Sequence, residues 1–282
     1  MSEDRMDHLT IEAIDAAADA LRRRTTVKPR VGLILGSGLG TLADKVEGEV
    51  SVPSSEVPGW PISTVEGHAG RIVFGRLEGQ PVLIQQGRAH YYEGHSMARL
   101  GLPVRVMQRL GVEILIVTNA AGAIDRSFEP GDLMLIRDHV NLMGMAGLSP
   151  LRGPNLDDLG PRFPDMSQAY DPELRGLART AASAEGIPLH EGVYVCLGGP
   201  TFESPADLRF LRGIGADAVG MSTVPEVIVA RHGATRVLGI SGISNKANLD
   251  GTTATTHEEV LAAGRLIVPR LTAVLRGVLR RL

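Results

Sequence analysis

The sequence predicts an α/β fold, and three observations predict it. Short apolar runs of strand type recur along the chain, segments of helical spacing separate them, and the alternation continues to the C-terminus undivided by repeat, linker or low-complexity stretch. Residues 1–282 therefore read as a single domain. Apolar content of 43% with 22% charged residues fits a globular chain with a real core. A formal charge of −3 gives no broad basic field, which argues against a nucleic-acid partner. Arg265, Arg270, Arg276, Arg280 and Arg281 are spaced as the solvated face of a helix. The single cysteine, Cys196, excludes an intramolecular disulfide and a cysteine-based metal cluster, and its apolar setting VYVCL reads as a buried, inert thiol. The N-terminus MSEDRMDHLT is polar and acidic, unlike a secretory signal, and no apolar run approaches a membrane span, so the expected location is the cytoplasm.

The elements follow in order. Leu9–Arg24 places Leu9, Ile14, Ala17, Ala18 and Leu21 at near-helical spacing. Val31–Leu35 is a five-residue apolar strand that breaks into Gly36-Ser37-Gly38-Leu39-Gly40. Residues 51–70, rich in Pro, Gly and Ser, read as loop. Arg71–Leu77 and Pro81–Gln86 read as two strands of a hairpin joined by Glu78-Gly79-Gln80. Ser96–Leu110 is helical, Glu113–Thr118 a buried strand, and Leu133–Ile136 a short strand. Residues 144–168 lack periodicity and are too long for an ordinary connection, which marks them as functional or as packed on a partner. Asp171–Glu185 is helical, and Gly192–Leu197, Asp217–Gly220 and Arg236–Ser241 are strands. Thr256 and Glu259 form a capping box that opens a long C-terminal helix, kinked at Pro269.

The glycine loop after Val31–Leu35 suits an anion, because three glycines in five residues let successive N–H groups converge and Ser37 adds a hydroxyl donor. It is neither of two stronger motifs. Thr41 stands where G-x-G-x-x-G needs its third glycine, and no G-K-[ST] run follows. Strand after strand ends in glycine and polar residues: 36–40, 87–94, 119–122, 198–203, 221–222 and 244–246. Ligands of open α/β sheets bind beyond the carboxyl ends of the strands, so these segments should meet in one cleft.

Taken together, the segments resemble the trimeric, low-molecular-mass purine nucleoside phosphorylases that act on 6-oxopurine nucleosides. The resemblance rests on GSGLG at 36–40, EGHAGR at 66–71, GRAHYYEG at 87–94, TNAAGA at 118–123 and DHVNL at 138–142. It continues through PLRGPN at 150–155, RFPDMSQAYD at 162–171, GGPTFESPAD at 198–207, VGMSTVPEVIVARH at 219–232, SNK at 244–246 and HEEVLAAG at 257–264. These matches lie in order over nearly the whole chain. The resemblance implies a single domain with a central mixed β-sheet flanked by helices, no cofactor or metal, inorganic phosphate as co-substrate, and a homotrimer.

It also implies the site. Phosphate would meet Ser37, His68, Arg88, His90, the Ala120 backbone and Ser222, with Arg88 offering a two-pronged guanidinium contact. Ribose would meet Tyr92, Met221 and His257, and Phe163 would close the ribose site of the neighbouring subunit, which accounts for the long 144–168 segment. The base would meet Phe202, Glu203 and Asn245. Phosphate attacks C1′ and expels the purine, whose growing negative charge Asn245 would stabilise at N7 and O6. Glu203 would accept from N1–H, a donor of hypoxanthine and guanine that neutral adenine lacks, so inosine and guanosine are expected over adenosine. His95, His139 and His232 read as structural. Alternation in an extended segment would turn Ala89 and Tyr91 away from Arg88, His90 and Tyr92.

Three other readings fit less well. Methylthioadenosine phosphorylase, the nearest alternative, typically carries aspartate at the place of Asn245 and a smaller group near His257. A nucleoside-binding module without catalysis would need no anion set of the kind formed by Ser37, Arg88, His90 and Ser222. A hydrolase is unsupported, since neither a G-x-S-x-G elbow nor an H-E-x-x-H pair is present.

Overall fold

Apolar strand runs and capped helices set the architecture of the computed structural model, which describes residues 8–36, 40–65, 67–248, 251 and 256–282. Helix α1 (Ile11–Arg22) opens where the Thr10 side chain accepts from the Ala13 N–H, and it buries Ile14, Ala17, Ala18 and Leu21. Strand β1 (Val31–Leu35) is buried along its length. Ile34 joins one core, while Val31, Leu33 and Leu35 join the other, as the two-residue strand period requires.

Strand β2 (Glu47–Pro53) precedes the hairpin of β3 (Arg71–Leu77) and β4 (Gln80–Gln86). Leu77 pairs with Gln80, so the turn is the two residues Glu78 and Gly79, both with positive φ, rather than three. The segment read as loop over 51–70 gives up its first three residues to β2, whose pairing with β3 forms the sheet edge. Helix α2 (Met97–Arg109) starts at a Ser96 cap, and β5 (Ile114–Ala123) runs five residues past the expected strand end. Strand β6 (Leu133–Asn141) leads into the single turn α3 (Leu142–Met145). The long segment that follows contains a 3₁₀ turn at Asp157–Leu159 before α4 (Pro172–Ala184), capped by Asp171.

Strand β7 (Leu189–Cys196), helix α5 (Pro205–Gly213), strand β8 (Ala218–Gly220), helix α6 (Val224–His232), strand β9 (Arg236–Lys246) and helix α7 (His257–Leu279) complete the chain. The Thr256–Glu259 capping box forms as expected, and α7 continues through Pro269.

Among the described residues the strands form one mixed sheet in the order β2-β3-β4-β1-β5-β8-β7-β6-β9. Pairing is parallel for β4-β1-β5 and antiparallel for β2-β3-β4, β5-β8 and β6-β9. Because β5 also pairs with β9, the five strands β5-β8-β7-β6-β9 close on themselves. One core lies between the sheet and α1, α2 and α6, and the other between the sheet and α4 and α7. A smaller cluster under α5 joins Leu208 and Leu211 to Val195 and Val219. Burying each large aliphatic side chain contributes about 1.5–3 kcal/mol, so these two layers fix the strand ends with respect to each other.

Candidate active site

The strand ends build one cavity of about 430 Å³. It is lined by Arg88 and His90 after β4, Asn119–Gly122 of β5, Phe202 and Glu203 before α5, Met221 and Ser222 after β8, and Ser244 and Asn245 of β9. Tyr92, Gly36 and Val65 also line it. Two of the expected loops are strand instead. Residues 119–122 and 244–246 belong to β5 and β9 and stay paired, Gly122 opposite Asn245, after a register shift at Ala121/Gly122. Asn119 lies beside Gly36 and Gly122 beside Asn245. Three residues of strand separate them, a span of about 10 Å at about 3.3 Å per residue.

Arg88 is 3% exposed, so its charge stands in a nearly dry setting. Nη1 donates to Ser222 Oγ at 3.1 Å and Thr223 Oγ1 at 2.9 Å, and Nη2 donates to Ile34 O at 3.1 Å and to Thr118 O. Nε faces Glu226 at 3.5 Å without a hydrogen bond. Four of the five guanidinium N–H donors are therefore taken by protein groups. The two-pronged contact expected of Arg88 is directed inward, and its contribution to the cavity is charge together with the Ser222 hydroxyl that it holds.

His90 Nδ1 donates to the Glu93 carboxylate at 2.9 Å, and the His90 N–H donates to the same oxygen at 2.7 Å. That leaves Nε2 as the free ring nitrogen. Glu93 also accepts from the Thr64 N–H and from the Thr64 hydroxyl at 2.9 Å. Burial works against its charge, but the bonds from His90 and Thr64 outweigh burial and hold its carboxyl at about 2. The His90 ring stacks on Tyr92 with centroids 4.8 Å apart and on His68 at 5.4 Å. Burial, then the charge of Glu93, pushes the Tyr92 hydroxyl up to about 12.

His68 stands behind this stack, facing an adjoining cavity of about 260 Å³ rather than the larger one. Its Nδ1 accepts from the Arg88 backbone N–H at 3.3 Å, which puts the proton of the neutral ring on Nε2. Burial, then His90 and Arg88, lowers it to about 4. Gly87 makes this approach possible: its φ is +93°, and a Cβ there would lie 2.6 Å from His68 Cβ.

Glu203 has its carboxyl raised by burial, with Asp207 adding to the shift. Asn245 Oδ1 accepts from Ser244 Oγ at 2.8 Å, and Nδ2 donates to Lys246 O at 3.3 Å. Since the Lys246 carbonyl only accepts, these two neighbours fix which way the Asn245 amide points. Lys246 itself is ion-paired with Glu129 and does not line the cavity.

The remaining expected residues divide. Ala120 and Met221 line the cavity. Phe163 is 88% exposed and takes no part in the cavity of its own chain. Ser37 lies outside the described residues, and His257 is the first residue of α7 with its side chain likewise outside them. Ala89 and Tyr91 stay out of the cavity as expected; the extended backbone at His90 fits alternation for Ala89, while Tyr91 opens a 3₁₀ turn over Tyr91–Glu93. His139 bonds the Tyr170 hydroxyl at 3.1 Å, His232 accepts from Arg105 at 2.8 Å, and His95 donates to Ile62 O, all in structural contacts. Cys196 is buried, and burial, then the Glu226 charge, pushes its thiol up to about 12. Asn119, Thr223 and Ser244 are site residues that the sequence reading did not assign. Asn119 and Ser244 are polar side chains within strands that open as apolar runs, the signal that was available, while Thr223 lies three residues beyond β8.

Residues 30–280 match the family model of the phosphorylase superfamily. A relative from Geobacillus stearothermophilus, purine nucleoside phosphorylase 1, is 56% identical over 88% of this chain and 90% of its own. The Bos taurus purine nucleoside phosphorylase is 51% identical over 93% of this chain and 92% of its own. The chain belongs to the purine nucleoside phosphorylase family. Members of that family are pentosyltransferases, and the mixed sheet with helices on both faces is theirs. The Schistosoma mansoni purine nucleoside phosphorylase solved with inosine superposes with a TM-score of 0.92 at 40% identity, covering 97% of each chain. The same enzyme has also been solved with adenosine.

Proposed function

We propose that this purine nucleoside phosphorylase cleaves inosine, guanosine and their 2′-deoxy forms reversibly, giving the free base and (deoxy)ribose 1-phosphate, in purine salvage. One observation carries the reading. A single cavity joins a buried anion-binding set (Arg88, His90, Ser222) to a carboxylate and a fixed amide (Glu203, Asn245), and about 10 Å of β5 wall separates Asn119 from Gly122, the neighbour of Asn245. That separation suits a nucleoside with phosphate behind its C1′.

Arg88 supplies charge to phosphate, and Ser222 and the Ala120 N–H supply donors. His90 Nε2, an acceptor in the neutral ring whose proton Glu93 holds on Nδ1, takes the hydrogen of monohydrogen phosphate, with Ser37 and His68 as further proposed phosphate contacts. Holding the anion behind the sugar turns an encounter of two solutes into a step within one complex. Tyr92, Met221 and His257 orient the ribose. As the glycosidic bond breaks, its electron pair goes to the purine. Asn245 Nδ2, aimed by Ser244 and Lys246, stabilises that charge at O6 and N7. Glu203 accepts from N1–H, and Phe202 covers the ring. A base without N1–H leaves the Glu203 carboxylate unpaired, which disfavours its reaction. The Schistosoma neighbour holds adenosine as well as inosine, so the discrimination proposed for this chain lies in turnover rather than in binding alone.

The same reading makes residues 1–282 one domain that works as a cytoplasmic homotrimer, needing no cofactor or metal, with Phe163 of each subunit over the ribose site of the next. The exposure of Phe163 and its place outside the lining of its own chain's cavity support that arrangement.

Release of free base from inosine, guanosine, adenosine and methylthioadenosine, each with and without inorganic phosphate, tests the proposal. Phosphate-dependent cleavage of inosine and guanosine is expected. Cleavage of methylthioadenosine in their place would overturn the base-site assignment, and phosphate-independent cleavage would overturn the anion site.

A further inference from the structure

Thr223 is fully buried, β-branched, and held at φ +74° and ψ −53° between β8 and α6. The Val224 N–H donates to Ser222 O at 2.8 Å, closing a γ-turn centred on Thr223. A threonine is disfavoured in this conformation, and strain of this kind persists where the surroundings impose it. Glycine would adopt the turn freely but would bring no hydroxyl, so the hydroxyl is what the position retains.

Its bonding can be counted. A hydroxyl offers two lone pairs and one hydrogen. Thr223 Oγ1 accepts from Arg88 Nη1 at 2.9 Å and from Asn119 Nδ2 at 2.8 Å, which fills both lone pairs. Its hydrogen is then left for Ser222 Oγ, 3.2 Å away. Ser222 Oγ accepts that bond and a second from Arg88 Nη1 at 3.1 Å, so its own lone pairs are filled in turn. On the buried side, the Tyr194 hydroxyl takes the Ser222 backbone N–H at 3.4 Å and is also in hydrogen-bond contact with the Ser222 side chain. The one hydrogen of Ser222 therefore has two directions, Tyr194 or the cavity that Ser222 lines, and an anion in the cavity, the stronger acceptor, draws it there.

We infer that Thr223 is a positioning residue that turns the Ser222 hydroxyl into a dedicated proton donor toward an anion in the cavity. Asn119 and Arg88 set the direction of the chain and Thr223 transmits it. Without the Thr223 hydroxyl, Ser222 has a lone pair free and can present oxygen rather than hydrogen to the anion. The inference rests on the reading of Ser222 as a phosphate donor, and the test separates the two.

The affinity of the full-length protein for inorganic phosphate is measured by calorimetry, and the KM values for phosphate and inosine by base release. Thr223→Val keeps the shape and removes the hydroxyl. It is expected to weaken phosphate by about tenfold, with the inosine KM within about threefold of the parent. Thr223→Ser, which keeps the hydroxyl, is expected to bind phosphate within about threefold of the parent. Ser222→Ala is expected to weaken phosphate as well, and adding Thr223→Val to it should cost no further affinity, because the two act through one bond. Parent-like affinity in Thr223→Val, or equal losses in the valine and serine variants, overturns the inference. A loss from Thr223→Val that persists in the Ser222→Ala background runs through Arg88 and also overturns it. Parent-like affinity in Ser222→Ala instead removes the underlying assignment of Ser222. If the valine protein does not fold, Thr223→Ala is read by the same criteria.

Discussion

In the proposed reading Glu203 carries the choice of base, and its protonation state decides whether it can. Only the carboxylate accepts from N1–H, and burial raises its carboxyl above the ordinary 4.5, so the accepting form is lost earlier as pH falls. The acid limb of kcat/KM for inosine should therefore lie above the range of an exposed glutamate. Glu203→Gln should lower kcat/KM by about 100-fold, or about 2.7 kcal/mol, and flatten that limb, which a pH–rate profile reads directly. Glu93 works in the opposite direction. Its folded value of about 2 lies below the ordinary 4.5, so its charge contributes stability that is complete above pH 4.5 and is lost as pH falls toward 2. Glu93→Gln should be less stable by about 2 kcal/mol at neutral pH, because bonds from His90 and Thr64 lose a charged acceptor. The gap between parent and variant in urea midpoint should narrow through that same acidic window. A gap that stays constant with pH would deny the carboxylate this role.

At the scale of elements, β1 and β5 must touch closely for the anion site to form. A Cβ on Gly36 would lie 2.9 Å from both Asn119 Cα and Thr118 O, and backbone atoms in paired strands have little room to yield. Gly36→Ala should cost about 1–3 kcal/mol of stability and weaken phosphate binding, since Asn119 and the start of the glycine loop shift together. Thermal melts and phosphate titration check both halves; a stable variant of unchanged affinity would show that the contact relaxes freely. Elements of this kind were legible because burial left marks in the sequence. β1 is apolar throughout, β4 and β5 carry the apolar runs Val82–Ile84 and Ile114–Val117, and the caps at Ser96, Asp171 and Thr256 stand where side-chain oxygens meet free N–H groups. Where those marks fade, the sequence says less. β2 has a single buried position, and α6 is buried on nearly every side, so no periodicity separates its faces. Helix α5 did carry a capping signal in Ser204 and Asp207 that went unread. The hydroxyl relay through Thr223 was invisible for a different reason: its partners Arg88 and Asn119 are 135 and 104 residues away along the chain.

At the scale of the whole molecule, one chain holds a cavity but leaves Phe163 out of it. Phe163 is 88% exposed on the segment between α3 and α4, with the Arg162 guanidinium 5.9 Å from its ring centroid. A bare aromatic of this size is accounted for if it covers the ribose site of the next subunit in a ring of three. Phe163→Ala should then raise the nucleoside KM by about tenfold with little effect on phosphate affinity or on melting temperature. Mixing makes the prediction sharper. Glu203→Gln chains have a defective base site but an intact Phe163, and Phe163→Ala chains have the reverse. Each parent trimer is weak at every site. After the two proteins are dissociated and reassembled in equal amounts, a complete site needs an intact Glu203 on one chain and an intact Phe163 on its neighbour. In a head-to-tail ring that pairing arises at about one site in four. Activity at low inosine should therefore rise to about a quarter of the unmodified protein's. A mixture that never exceeds the average of its parents would mean that each chain supplies its own aromatic cover, and the long 144–168 segment would need another explanation.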